Sequence, residues 1–346
     1  MIRISIDAMG GDHAPREVVH GAVLAALEYK LAILLVGPED VLRAELNRPV
    51  IKQLLGGKDP EAHNISIVHA SEVVQMGEKP GWSVVKKKDS SIVVATKLVR
   101  EGKADGIVSA GSTGAAAVAA QICLGKLEHI ERCAIACTMP TIHPRPCFLI
   151  DAGASVAWDA PQMVQLGLMG TILAKGLYSI ESPRVGILNI GTEETKGTDV
   201  VKQAYELFKE NGKMNFIGFV EGRDYPLGKV DVVVTDGFTG NVSLKTAEGI
   251  ARMMNFMLRE ELMGSLKGRV AGVIGKSALK NLKARVDQNE FGGALLVGIK
   301  GVCVIAHGGS KHTAVKNAIR VAKDMVGAGV VDKIESVLKT TNGHSN

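Results

Sequence analysis

The sequence predicts an α/β protein in which helices cover both faces of a mostly parallel sheet, forming three layers. Short apolar runs rich in β-branched residues recur, most end in a small or acidic residue, and a glycine-containing turn and a helical pattern follow. Strands that are buried on both faces and alternate with helices are typical of parallel sheets. The predicted strands are residues 2–6, 31–36, 106–108, 147–150, 185–190, 230–234 and 301–306.

The length of 346 residues suggests two domains or one large α/β unit, at about 150 residues per domain. No linker rich in proline or serine divides the chain. We therefore expect one continuous unit over residues 1–346, with one helical excursion at about residues 242–288.

Composition excludes several classes of protein. Aromatic residues make up 4% of the chain and the net charge is +5, which disfavours nucleic-acid binding and favours an acidic small molecule or an acidic partner. The five cysteines lie mostly in apolar runs, as in a reduced cytosolic protein, and Cys133 and Cys137 lack a second pair at zinc spacing. No apolar run is long enough to span a membrane, and Asp7 comes too early for a signal peptide. We expect no metal and no cofactor.

Common nucleotide and hydrolase motifs are also missing. The chain contains no G-x-x-x-x-G-K-[ST], no G-x-G-x-x-G and no G-x-S-x-G. Binding of a nucleotide by the usual glycine-rich loops and hydrolysis by a serine nucleophile are therefore unsupported. What remains is a set of glycine-rich polar turns that follow the predicted strands.

These turns predict an anion-binding site. Turns that follow parallel strands lie along one edge of a sheet, where ligands bind, so we expect the scattered polar segments to converge. Backbone N–H groups at helix N-termini, together with the helix dipole, bind anions without a motif lysine. Such a site suits phosphate and a developing oxyanion. The expected substrate contacts are Asp7, Gly10, Gly11, Asp12, Gly111, Ser112, Thr113, Gly114, Asp236, Gly240 and Gly308.

Four side chains in or near these turns are candidate catalytic groups: Lys196, Asn241, Lys245 and His307. The lysines and the imidazole supply positive charge or a proton, and the amide of Asn241 can donate to an oxygen. Structural explanations stay open for several candidates. Gly10 and Gly11 could form a simple tight turn, Ser112 and Thr113 could cap a helix, and Asp236 could hold its own turn together. Lys196 could be solvated and His307 could be a buried, hydrogen-bonded histidine.

The predicted excursion has a mixed apolar and basic character. Apolar residues recur at helical spacing over residues 244–258, in a stripe wider than one packing face needs. The following segment holds six cations with no acidic residue over residues 263–286. One interpretation is a solvated helix beside a packed helix. The other is a docking surface for an acidic protein or an anionic membrane, formed by Met253, Met257, Lys276, Lys280 and Lys283.

Several polar segments follow one another in a specific order. They are DAMGGD at 7–12, KKDSS at 87–91, SAGSTGA at 109–115, NIGTEETKG at 189–197, DGFTGNVSLK at 236–245, FGGALL at 291–296 and HG at 307–308. In this order, over about residues 2–326, they resemble the PlsX family of acyl-ACP:phosphate acyltransferases. The chain departs from the family pattern at Ser112 and Ser155, where the family usually has asparagine.

The resemblance implies transfer of a fatty acyl group from acyl carrier protein to inorganic phosphate. The acyl phosphate would then feed a downstream membrane glycerol-3-phosphate acyltransferase in bacterial phospholipid synthesis. The resemblance also implies a fold similar to phosphotransacetylases and isopropylmalate dehydrogenases, a homodimer, and a cytoplasmic enzyme that can attach peripherally to the membrane. It puts Lys196, Asn241, Lys245 and His307 near the site.

Three other functions stay open. The fold would also permit a short-chain phosphotransacetylase that uses coenzyme A. A regulator that binds phosphate or an acyl chain without turnover is an alternative from another class. A dehydrogenase is the least supported, because the clustered carboxylates that its divalent metal needs are not evident in the sequence.

Overall fold

The computed structural model describes residues 1–286 and 288–342, and it confirms the α/β/α prediction. An 11-stranded sheet has the order β3-β2-β1-β4-β11-β10-β5-β6-β9-β7-β8. The strands are β1 Arg3–Asp7, β2 Ala32–Gly37, β3 Ile65–His69, β4 Gly106–Ser109, β5 Ala134–Met139, β6 Cys147–Ile150, β7 Arg184–Leu188, β8 Asn215–Val220, β9 Val232–Val234, β10 Ala294–Val297 and β11 Val302–Ile305.

Helices precede or follow most of these strands. They are α1 Arg16–Tyr29, α2 Glu39–Leu46, α3 Pro49–Leu54, α4 Pro80–Lys86, α5 Ser91–Arg100, α6 Thr113–Cys123, α7 Ala160–Tyr178, α8 Asp199–Asn211, α9 Gly237–Gly264, α10 Leu266–Ile274, α11 Lys276–Val286, α12 Gln288–Phe291, α13 His312–Gly327 and α14 Val330–Asn342. A short 3-10 helix spans Pro60–His63. Helices α1, α7, α13 and α14 contribute to the hydrophobic core on one face of the sheet, and α5 and α6 contribute to the core on the other face.

The sheet consists of two parallel halves that run in opposite directions. Strands β3, β2, β1, β4 and β11 are mutually parallel, and so are β6, β9, β7 and β8. Between the halves, β10 and β5 form the antiparallel pairs β11/β10, β10/β5 and β5/β6. The turns after β1, β4 and β11 therefore lie at one edge, and those after β6, β7 and β9 lie at the other. The expectation that all these turns share one edge is wrong.

The reversal leaves part of one sheet face without a helix over it. Strands β5 and β6 are joined through residues 140–146, and β10 and β11 are joined through residues 298–301. Antiparallel neighbours need only such short connections, whereas parallel neighbours need a crossover that usually contains a helix. The face above β5, β10 and the end of β11 consequently forms the floor of a cleft between α6 and α9.

The predicted excursion at about residues 242–288 corresponds to the three consecutive helices α9, α10 and α11, which are separated at Ser265 and Gly275; its last predicted residues include Asp287, which lies outside the described residues. Helix α9 has only Gly237, Gly240 and Leu244 buried among its 28 residues. Apolar side chains of α9 and α10 are instead exposed: Met253, Met254, Phe256, Met257, Met263, Leu266, Val270, Val273 and Ile274. Among the described residues, none of the helices has the length and apolar character needed to cross a bilayer.

Candidate active site

A cleft of about 790 Å³ lies between α6 and α9. Apolar residues of β5, β10 and β11, including Ile135, Ala294 and Ile305, line it together with both helices. Polar residues lie among them: Thr113, Gln121, Thr138, Asn241, Lys245, Glu248, Arg252, Asn255, His307 and Ser310. Residues from both edges of the sheet therefore meet in one space, because α6 and α9 start at opposite edges and run over the same face.

His307 lies in the loop between β11 and α13, and its side chain is exposed to the cleft. The backbone N–H of Gly309 donates to Nδ1 of His307 over 3.0 Å. Nδ1 therefore carries a lone pair, so the proton of the neutral imidazole is on Nε2. In this state His307 presents a hydrogen-bond donor, which suits binding of a phosphate oxygen or an oxyanion.

Ser310 also lines the cleft, and the sequence analysis missed it. Its residue surface is 4% exposed, yet its Oγ has no hydrogen-bond partner among the described residues. A buried hydroxyl without a partner costs free energy, which an arriving oxygen ligand could recover. Ser310 precedes α13, so this hydroxyl is close to a helix N-terminus. The sequence signal that could have identified Ser310 as a cleft residue was its position in the loop of residues 307–311, close to His307.

Three side chains on α9 point along the same wall of the cleft: Asn241, Lys245 and Glu248. Their spacing of four and three residues puts them on one face of the helix. The Nδ2 of Asn241 donates to the carbonyl oxygen of Ala152 at 3.1 Å. The Nζ of Lys245 lies 3.0 and 3.1 Å from the two carboxylate oxygens of Glu248.

Glu248 is the second site residue that the sequence analysis missed. Its side chain is 11% exposed. The guanidinium of Arg252, one helical turn after Glu248, lies 3.8 Å from the carboxylate, whereas Lys245 lies one turn before it. Glu248 is the only carboxylate among the described residues that line the cleft. One carboxylate that is shared by two cations is poorly suited to hold a metal ion, so this donor set fits an anion site better than a metal centre.

Asp151 fixes the loop that lies against Asn241. Its buried carboxylate accepts hydrogen bonds from the backbone N–H groups of Ile135, Gly153, Ala154 and Ser155 and from Nε1 of Trp158, at 2.8 to 3.1 Å. These bonds fix the loop whose Ala152, Gly153 and Ala154 line the cleft. Asp151 therefore acts as a structural anchor, a role that the sequence analysis did not assign.

The predicted turn at 7–12 packs against two other turns at its edge of the sheet. A Cβ on Gly10 would lie 2.8 Å from the backbone nitrogen of Gly111, and one on Gly11 would lie 3.1 Å from the carbonyl oxygen of Gly308. The backbone N–H of Asp12 donates to that same Gly308 oxygen at 2.9 Å. The turns after β1, β4 and β11 are thus gathered as expected, although these glycines and Asp12 do not line the cleft.

Asp7, at the end of β1, is fully buried beneath this turn. Its Oδ2 accepts a hydrogen bond from the hydroxyl of Ser109 at 2.7 Å, and its Oδ1 has no partner among the described residues. Burial raises the pKa of Asp7 above its ordinary value, and its hydrogen-bonding surroundings, the Ser109 hydroxyl among them, offset only part of this effect. Asp7 supports the turn from below and does not line the cleft.

Two predicted contacts serve as helix caps. The Oγ of Ser112 accepts from the backbone N–H of Ala115 at 3.4 Å, and the carboxylate of Asp236 accepts from the N–H of Thr239 at 2.8 Å. These contacts match the structural alternatives for both residues. Neither residue lines the cleft, whereas Thr113 and Gly114 do.

Two further candidates have different placements. Gly240 packs so closely on the carbonyl oxygen of Asp151 that no side chain could be accommodated there. Lys196 is exposed in the loop after β7, and it does not line the cleft of this chain. Of the four candidate catalytic groups, the structure brings together Asn241, Lys245 and His307.

A thiol also lies in the cleft floor, at Cys137. Burial raises the pKa of Cys137 to about 12, and the charges of Asp151 and Glu248 act in the same direction. The thiolate is the nucleophilic form of cysteine, so Cys137 is unreactive near neutral pH.

Comparison with known proteins adds the family. A family model described as "Fatty acid synthesis protein" matches residues 2–333. A phosphate acyltransferase of Pelotomaculum thermopropionicum is 47% identical over 98% of this chain and 96% of the relative. One from Dictyoglomus turgidum is 42% identical over 99% of both chains. The chain belongs to the fatty acid synthesis protein family that this model describes. The relatives carry the name phosphate acyltransferase, as the PlsX resemblance of the sequence implies.

Solved structures outside this family share the fold. A phosphotransacetylase from Streptococcus pyogenes has a TM-score of 0.63 at 16% identity, with 94% of each chain covered. The EutD phosphotransacetylase from Staphylococcus aureus has a TM-score of 0.59, also at 16% identity and with 94% of each chain covered. These similarities confirm the phosphotransacetylase-like fold that the sequence resemblance implied.

Proposed function

We propose that this member of the family transfers a fatty acyl group from acyl carrier protein to inorganic phosphate, giving acyl phosphate and free carrier. The observation that supports it most directly is the cleft, which combines anion donors with apolar walls. Lys245, His307 and Ser310 offer positive charge and hydrogen-bond donors. Ala117, Val118 and Ala251 offer apolar surface along the two flanking helices. One space could therefore hold both phosphate and a thioester with its chain.

The chemistry needs little beyond positioning and charge stabilisation. A phosphate oxygen attacks the thioester carbonyl carbon, a C–O bond forms, and the resulting tetrahedral oxyanion collapses with cleavage of the C–S bond. The thiolate leaves readily because a thiol pKa of about 8.5 makes it a weak base. Holding the two reactants together can supply several kcal/mol, and one preorganised oxyanion donor is worth about 3 kcal/mol.

The residues divide into two groups under this proposal. Lys245 and Ser310 bind phosphate, with Lys245 held by Glu248. His307, with its proton on Nε2, and the amide of Asn241 donate to phosphate or to the oxyanion. Lys196 stays a candidate for the same site, one that would need its loop or the loop of a second subunit to approach the cleft.

The test is a direct assay with palmitoyl-ACP, with and without phosphate. We expect phosphate-dependent appearance of the free carrier thiol together with one equivalent of acyl phosphate, trapped as a hydroxamate. Asn241→Ala and Lys245→Ala should each cut turnover while circular dichroism and the melting temperature stay near those of the wild type.

The same assay separates the alternatives. Equal or faster turnover of acetyl-CoA would favour a short-chain phosphotransacetylase. Tight phosphate binding without release of thiol from any acyl donor would favour a regulator. Hydrolysis that is independent of phosphate would reject the proposal.

We further propose that the exposed surface of α9 to α11 binds the carrier protein or the membrane. We also propose that the protein is a homodimer that works in the cytoplasm and attaches peripherally to the membrane. Clusters of exposed apolar side chains can mark interaction sites. Met253 and Met257 are each more than half exposed, and Lys276, Lys280 and Lys283 are exposed on α11. An acidic carrier protein complements this charge, and membrane attachment would bring the acyl phosphate close to a glycerol-3-phosphate acyltransferase.

Charge reversal tests this surface. Changing Lys276, Lys280 and Lys283 to Glu should weaken carrier binding or attachment to vesicles containing anionic lipid, and the loss should be greatest at low salt. Light scattering of the wild type and the variant reports whether the dimer persists. The proposal would be contradicted if the affinities for the carrier and for the vesicles changed neither with the substitutions nor with the salt concentration.

A further inference from the structure

Three side chains with metal-ligand chemistry converge between α1 and α13, outside the cleft. Glu17 and His20 lie on α1, and His312 is the first residue of α13. The Nδ1 of His312 lies 2.7 Å from Oε2 of Glu17, and the rings of His20 and His312 stack with their centroids 4.3 Å apart. One ligand atom from each residue lies within 4.8 Å of the other two.

We propose that Glu17, His20 and His312 form a binding site for one divalent transition-metal ion of the zinc type, completed by water. Two imidazole nitrogens and one carboxylate oxygen are a ligand set that zinc binds in proteins, with an open position left for solvent. All three side chains are half-buried, so water can reach the remaining coordination positions.

The spacing on α1 fits this assignment. Residues three apart lie on the same helix face, and the Glu-x-x-His spacing supplies metal ligands in helical di-metal proteins. Ligands about 2.1 Å from zinc lie about 3.4 Å apart in a tetrahedron. Oε2 of Glu17 and Nδ1 of His312, now 2.7 Å apart, would separate slightly, and the ring nitrogen of His20 would move towards them. The ring of His20 would also rotate out of its stack with His312, because imidazole lone pairs lie in the ring plane and must point at the ion. The third ligand comes from the far end of the chain, which is why the sequence spacing did not reveal the site.

The positive charge of Arg48 acts on His20 and opposes binding of a cation here. Arg48 forms an ion pair with Glu45 at 3.0 Å, which offsets part of that charge.

A metal ion at this position would join two helices that are already in close contact. A Cβ on Gly21 of α1 would lie 2.6 Å from the carbonyl oxygen of His312. α1 follows the turn that ends at Asp12, and α13 follows the loop that holds His307 and Ser310. The ion would therefore stabilise the fold and restrain the loop that carries two cleft residues. This inference does not depend on the proposed function.

The experiment uses untagged full-length protein that has been stripped with a chelator and then titrated with Co²⁺ or Zn²⁺. We expect binding of one ion per chain, visible by calorimetry and by the visible absorption of bound Co²⁺. We also expect a rise in melting temperature of about 4 °C at a hundredfold excess over the dissociation constant.

Variants identify the ligands. His20→Gln, His312→Gln and Glu17→Gln should each weaken binding at least tenfold, whereas His69→Gln, an exposed histidine elsewhere, should not. Glu17→Gln keeps the shape of its side chain and covers the case in which a histidine variant fails to fold. The proposal would be overturned if the wild type showed no one-to-one binding at metal concentrations up to about 100 micromolar, the dissociation constant of a weak site. Equal affinity in the wild type and a folded variant would also overturn it.

Discussion

The backbone N–H of Gly309 donates to Nδ1 of His307 at 3.0 Å, which leaves Nε2 of the neutral ring as a donor in the cleft. Replacing His307 with Ala removes that donor. We expect kcat to fall about 100-fold, the usual effect of losing one proton-transfer or oxyanion group. Steady-state assays with acyl-ACP and phosphate measure it. His63→Ala, in the 3-10 helix ahead of β3, is the matched control, and an equal loss there would contradict the assignment.

The ion pair between Lys245 and Glu248 predicts that the effect of a Glu248 substitution on turnover depends on the presence of Lys245. Glu248→Gln keeps the shape of the side chain but removes the charge that holds Lys245 in the cleft. We expect turnover to fall about tenfold, and Glu248→Gln to add little in a Lys245→Ala background, because the two residues act as one unit. A double-mutant cycle on kcat/KM measures this coupling, with Glu210→Gln on α8 as the control. Fully additive losses would show that Glu248 acts independently of Lys245.

Because the Ser310 hydroxyl has no hydrogen-bond partner among the described residues, we expect its removal to weaken phosphate binding without lowering the stability of the fold. Ser310→Ala breaks no hydrogen bond to a described residue, so the melting temperature should stay the same or rise. The KM for phosphate should rise about tenfold if the hydroxyl binds an oxygen of the substrate.

Ser5→Ala provides the contrast for this experiment. The Ser5 hydroxyl donates to the carbonyl oxygen of Ala95 at 2.9 Å in the core, and Ser5 does not line the cleft. That variant should lose about 1 kcal/mol of stability and keep its KM. A Ser310→Ala enzyme with an unchanged KM and a lowered melting temperature would show a structural hydroxyl instead.

Asp7 predicts a pH-dependent stability. Its folded-state pKa is raised by burial, so the ionised carboxylate is disfavoured in the folded protein. The cost is absent below the unfolded pKa of about 3.9, grows as pH rises from there, and is complete above the folded pKa. Asp7→Asn removes it, so the stability of the variant relative to the wild type should increase with pH across this window and then level off.

Urea unfolding at a series of pH values, with both proteins in the same buffers, measures this difference. Taking the difference cancels the titration of all other carboxyl groups that the two proteins share. A relative stability that does not change as the pH rises from about 4 would contradict the burial effect.

The layers, and three candidate residues that the structure places in one cleft, could be predicted from the sequence because they depend on local signals. Buried apolar runs, glycine turns and short polar motifs can be read along the chain, and Asn241, Lys245 and His307 all line the cleft. Four strands were not predicted: β3, β5, β8 and β10. Two of them, β5 and β10, are the strands that reverse the sheet.

Strand direction is the property that the sequence could not supply. A strand buried on both faces has the same apolar pattern whether its neighbour is parallel or antiparallel. Glu248 and Ser310 were missed for a related reason. A glutamate among helical lysines and a serine in a glycine-rich loop are both typical of exposed positions, and only the packing of α9 and α13 shows that they are largely enclosed.

Helix α9 runs unbroken from Gly237 to Gly264, about 42 Å at 1.5 Å per residue. Asn241 and Lys245 near its N-terminal end line the cleft, and Met257 and Met263 near its C-terminal end are exposed. Because the helix is continuous, the exposed end and the two cleft groups belong to one rigid element. A molecule that bound the exposed end and tilted the helix would therefore also move the amide of Asn241 and the ammonium of Lys245.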